Sequence, residues 1–89
     1  MYKILPYTLA KAKELKVIVK PSNKKFKKID VFNQKGEFIV SIGDSRYLDF
    51  PNYVLKFGKE YASERRKLYL IRHKNDTGKA GFYAKKLLW

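Results

Sequence analysis

Apolar and polar positions alternate from Leu15 to Lys20, with Leu15, Val17 and Val19 on one side and Lys16, Ile18 and Lys20 on the other. A period of two belongs to a half-buried strand, and Pro21 ends it because proline brings no N–H to a ladder. After "SNKK", the stretch "FKKIDVF" is rich in β-branched and aromatic residues, and "EFIVSIG" repeats that character. Between them "NQKG" holds turn residues, with Gly36 free to take a left-handed position. The pattern predicts a meander of three antiparallel strands.

The remaining stretches carry the longer period. Thr8 is a candidate N-cap for "LAKAKEL", where Leu9, Ala10, Ala12 and Leu15 offer a narrow apolar stripe. "DSRYLDFPNYV" interrupts the alternation with aspartates, proline and aromatics, as a turn or crossover would. There Asp44 fits a turn or a helix cap, Asp49 fits a helix cap and Pro51 fits the first turn of "PNYVLKF", which Gly58 can end. From Lys59 to about Asn75 there is neither glycine nor proline, and Tyr61, Leu68 and Ile71 fall on one side of a helix. This is the expected main helix, covering one face of the sheet. "DTGKAG" reads as a loop, and "FYAKKLLW" as a closing helical turn or two whose Phe82, Leu87, Leu88 and Trp89 pack back on the sheet. The fold class is therefore α+β: a short N-terminal helix, a small three-stranded antiparallel sheet, and a helical C-terminal half on one face. The expected core is Leu15, Val17, Val19, Ile29, Val31, Phe38, Val40, Ile42, Leu68, Ile71, Phe82 and Leu88.

Length and charge narrow the function. Eighty-nine residues suit one domain, residues 1–89, with little room for a buried pocket. Twenty-one Lys and Arg against eight Asp and Glu give +13. Such self-repulsion weakens a small fold, so a polyanionic partner is expected, nucleic acid first and an acidic protein surface next. The chain has no cysteine and one histidine, which excludes disulfides, thiolate metal sites and cysteine nucleophiles. No apolar run approaches the roughly 20 residues of a membrane span, and the start lacks a signal-peptide core. A soluble, non-secreted protein without a membrane partner is expected.

Two basic clusters are candidates for contact. In "SERRKLYLIRH", Arg65, Tyr69 and Arg72 or His73 lie three or four residues apart, so a helix would set Tyr69 between guanidinium groups on one face. Alternatively Leu68 and Tyr69 are core, and Arg65 and Arg66 pair with Glu60, Glu64 or Asp76. In "NKKFKK", Lys24, Lys25, Lys27 and Lys28 flank Phe26 at a hairpin tip able to track a phosphate backbone. Phe26 is expected to fold inward, as large apolar side chains mostly do, the other reading being a ring that stacks or wedges. Lysine is a compact, hydrated charge that adds affinity without reading sequence. The nucleic-acid-binding set is then Lys24, Lys25, Lys27, Lys28, Arg65, Arg66, Tyr69, Arg72 and Lys74.

Catalysis has little support. Asp44 and Asp49 stand five residues apart in "IGDSRYLD", a spacing that does not demand a magnesium site, and His73 has no evident partner as a general base. There is no nucleotide-binding glycine loop or nucleophile motif. A non-enzymatic protein is expected, with no cofactor, no metal and no small-molecule substrate.

The ordered blocks "VKPSNKKFKKIDVF", "SIGDSRYLDFPNY", "GKEYASERRKLYLIRH" and "GFYAKKLLW" resemble a family of small, basic, functionally uncharacterised proteins encoded by DNA viruses, including large eukaryotic viruses and some bacteriophages. The similarity covers nearly the whole chain and is most specific at "ERRKLYLIRH" with the Leu-Leu-Trp ending. The family supplies no catalytic residues. The resemblance implies a virion or host-cell setting, with three roles open: a protein contacting the DNA genome, a minor capsid protein wedged between subunits, or a regulator that binds a host protein.

Overall fold

A computed structural model describes residues 2–89. Its elements follow in the order α1 (Pro6–Leu15), β1 (Ile18–Pro21), β2 (Lys27–Phe32), β3 (Phe38–Asp44), α2 (Phe50–Phe57), α3 (Lys59–Arg72) and α4 (Lys79–Leu87). The three strands form one antiparallel sheet in chain order, an α+β fold with a helical C-terminal region. Val19 faces Val31, Val31 faces Val40 and Ile29 faces Ile42, so the β-branched residues form two adjacent rows across the sheet. The turn from β2 to β3 closes as expected, with Gly36 at φ 85° and the Asn33 side chain accepting from the N–H groups of Lys35 and Glu37.

The core gathers Ile29, Val31 and Ile42 from the sheet, Ala12 from α1, and Ala84, Leu87 and Leu88 from the C-terminal end. Leu15, Val17, Val19 and Val40 pack at its margin. It is therefore α4, a full nine-residue helix rather than a turn or two, that lies against β3, while α1 touches α4 and β1. Among the described residues no helix is long and apolar enough to cross a membrane.

Several expectations are overturned. Thr8 does not cap α1. It sits inside the helix, fully buried, and donates its hydroxyl to the carbonyl of Leu87 at 2.9 Å; Leu5 holds the cap position and Pro6 supplies a preset φ. Leu15 ends that helix instead of opening β1, because Lys16 takes a left-handed conformation at φ 57° and turns the chain before Ile18. The main helix α3 does not cover the sheet. Gly58, at φ 92°, ends α2 and starts α3 in one residue, which folds the two helices against each other.

The face that α3 presents inward is not its apolar stripe. Ala62 is fully buried, Arg65 lies over the ring of Tyr53, Arg66 over Phe50, and Tyr69 against Trp89. Leu68 and Ile71, expected in the core, are 47% and 57% exposed. Flat aromatic and guanidinium surfaces stack closely without being aliphatic, and a count of apolar positions does not register them. Phe38 and Phe82 are also exposed rather than core.

Candidate nucleic-acid interface

The two basic clusters, some forty residues apart in sequence, line one open groove of about 930 Å³. The tip between β1 and β2 contributes Lys25, Phe26 and Lys27, and the loop after β3 adds Arg46 and Tyr47. Arg65, Tyr69, Arg72 and His73 come from α3 and its cap. Ile42, Gly43, Leu88 and Trp89 also line it, so the groove reaches the core where β3 meets the end of α4.

The acidic groups of the groove are both engaged. Arg46 makes a forked pair with Asp44, Nε to Oδ1 at 3.0 Å and Nη2 to Oδ2 at 2.8 Å, and its backbone N–H also donates to Oδ1. These bonds hold the Asp44 carboxyl down to about 2. Asp76 lies 2.6 Å from His73 Nδ1. By contrast Lys25, Lys27, Arg65 and Arg72 form no ion pair among the described residues. Neither Arg65 nor Arg66 pairs with Glu60, Glu64 or Asp76. The groove thus keeps four uncompensated cations, two on each side.

Tyr69 does not lie between guanidinium groups. Trp89 stacks on it at 4.2 Å with 7° between planes, and His73 at 4.3 Å with 29°. Two near-parallel rings at that distance cannot share one face, so both faces of Tyr69 are covered. Burial raises its phenol pKa, with the Asp76 charge adding and Arg72 opposing. Its role is to brace α3 against the chain's last residues, and in doing so it aims Arg65 and Arg72, which stand four residues before and three after it.

Three other positions fall outside the groove. Lys24 donates to Ser41 Oγ at 2.9 Å, lies 3.5 Å from Asp30 and sits 4.0 Å over the Phe38 ring. Arg66 and Lys74 remain exposed and do not line it. Lys28 does line the groove, but it is only 4% exposed, donates to Asp49 Oδ2 at 2.9 Å and is closed to phosphate. Asp49 caps α2 as expected, its Oδ1 accepting from Asn52, and Oδ2 also accepts from Tyr2 at 2.6 Å. Asp44 and Asp49 thus answer to separate basic partners and do not converge; among the described residues no three His, Cys, Asp or Glu side chains gather as metal ligands would.

Phe26 is the residue that the chain pattern misjudged most. It stands at φ 62°, 45% exposed, with the Arg46 guanidinium 4.4 Å from its ring centre. Arg46 and Tyr47 carried no basic-cluster signal, since one arginine after "GDS" is ordinary in a turn. No protein-family model, curated protein or solved structure matches this chain.

Proposed function

We propose that the protein is a non-enzymatic polyanion-binding protein that holds nucleic acid in the groove between the hairpin tip and α3. The observation that carries this reading is the pairing of Lys25 and Lys27 on one side with Arg65 and Arg72 on the other, all without acidic partners. Of the groove's two carboxylates, Asp44 is charge-paired with Arg46 and Asp76 is hydrogen-bonded to His73. Four free cations around one concave surface suit a phosphate backbone, and the +13 net charge adds long-range attraction. The resemblance to small basic viral proteins makes the DNA genome, within a virion or an infected cell, the polyanion of first choice. Binding to DNA across a salt series tests this: a constant that falls steeply with salt is expected, and weak binding indifferent to salt rejects it.

A second reading, a minor capsid protein seated between subunits, has its own supporting observation. Leu55, Phe57, Tyr61, Leu68 and Ile71 are all exposed on α2 and α3. Apolar side chains left in water on neighbouring helices suit burial against another protein. Co-sedimentation with assembled capsids, lost on Leu68→Lys with Ile71→Lys, would favour it over genome contact.

A further inference from the structure

Resting on the polyanion-binding reading above, we propose that the groove takes single-stranded nucleic acid and that Phe26 is the platform on which one of its bases stacks. Phe26 occupies the left-handed region at φ 62°, where a bulky side chain is strained and glycine is not. The turn is nevertheless built to keep it there: Lys27 N–H donates to Lys24 O at 3.1 Å, and Ser45 N–H donates to Phe26 O at 3.0 Å. The ring contributes nothing to the core cluster and remains 45% exposed. Strain held in place around an exposed aromatic ring is a feature of binding sites rather than of packing.

Its surroundings are those of a stacking platform. Arg46, fixed by its fork on Asp44, sits 4.4 Å over the ring, and the Lys25 ammonium lies 5.1 Å from its centre; a stacking base takes the place of that exposed lysine, which with Lys27 then meets the phosphates on either side of it. Tyr69 is not available for the same task, because Trp89 and His73 cover both its faces. Single strands offer unstacked bases to such a ring, whereas a duplex keeps its bases stacked within and shows mainly backbone. The groove, about 930 Å³, has room for a base with its sugar-phosphate.

The test is fluorescence anisotropy with three labelled probes, an oligothymidine, an abasic strand of equal length and a duplex, on the natural chain and on Phe26→Gly. Glycine relieves the left-handed strain, so the variant's melting temperature should be no lower than that of the natural chain. Phe26→Leu, which keeps apolar bulk without a flat π-face, serves as a second variant. The natural chain should prefer oligothymidine to the abasic strand by at least about fivefold, and both variants should lose that preference while binding the abasic strand unchanged. Equal binding of the two strands, an oligothymidine affinity insensitive to both variants, or tighter binding of the duplex overturns the inference and leaves charge-driven binding intact. Absence of salt-dependent binding to all three probes overturns both.

Discussion

The ammonium of Lys28 lies 2.9 Å from Oδ2 of Asp49, and both side chains are almost wholly removed from water. The pair ties β2 to the start of α2, and the Tyr2 hydroxyl on the same oxygen adds the N-terminal segment. Asn52 satisfies the other carboxylate oxygen through its backbone and side-chain nitrogens, so no buried side-chain polar atom is left without a partner among the described residues. A buried ion pair is no stronger than a well-packed apolar one, but removing one partner strands the other charge. Lys28→Met should therefore lose about 3–5 kcal/mol in urea denaturation. Lys27→Met, one residue away and exposed, should stay within about 0.5 kcal/mol. Equal effects would deny Lys28 its structural role.

Tyr2 gives this cluster an alkaline signature. Burial, then the hydrogen bond to Asp49 and its negative charge, push the Tyr2 phenol above its ordinary value of 10.0. The unfolded chain ionises at the ordinary value while the folded one still holds its proton. Stability is thus complete below about pH 10 and falls as pH rises beyond it. Tyr2→Phe should cost about 1.5 kcal/mol at neutral pH, for a lost bond to a charged acceptor. Its melting temperature should then decline less steeply than the natural chain's above pH 10; parallel curves would contradict the assignment.

Gly43 and Gly36 both have positive φ but differ in space. A Cβ on Gly43, at φ 80°, would stand 2.8 Å from Leu88 Cδ1 and 2.9 Å from Lys28 Cδ, whereas one on Gly36 would meet nothing within 4 Å. Gly36→Ala pays only left-handed strain, about 1 kcal/mol. Gly43→Ala adds crowding at the junction of β2, β3 and the end of α4, for about 2–4 kcal/mol in total. Thermal melts of the two variants measure the difference directly.

Charge reversal separates the groove from the rest of the basic surface. Arg65→Glu with Arg72→Glu should weaken DNA binding by about tenfold or more and lower the slope of log K against log salt by about 1–2, as two lost phosphate contacts would. Arg66→Glu with Lys74→Glu changes the net charge equally but lies outside the groove, so its effect should be clearly smaller. Equal losses from both pairs would mean that total charge, not the groove, governs binding.

The residue pattern by itself determined the meander, because the alternation leading into β1 and the β-branched and aromatic residues of "KKIDVF" and "FIVSIGD" favour extended backbone locally, and Asn33 and Gly36 close their own turn. It also determined where α2 begins and ends, since Asp49, Pro51 and Gly58 act within a few residues of themselves. Only the tertiary structure decided which lysine is buried and which phenylalanine is not. Lys28 and Phe26 are two residues apart in one basic run, and their fates depend on Asp49 and Arg46, about twenty residues downstream. Likewise α3 turns Ala62, Arg65 and Tyr69 inward because Tyr53 and Trp89 offer flat rings there, a match that periodicity in α3 alone cannot contain. Local steric and hydrogen-bonding rules act along the chain and can be read from it, whereas desolvation of a charge and stacking of two surfaces are properties of pairs that exist only once the chain has closed.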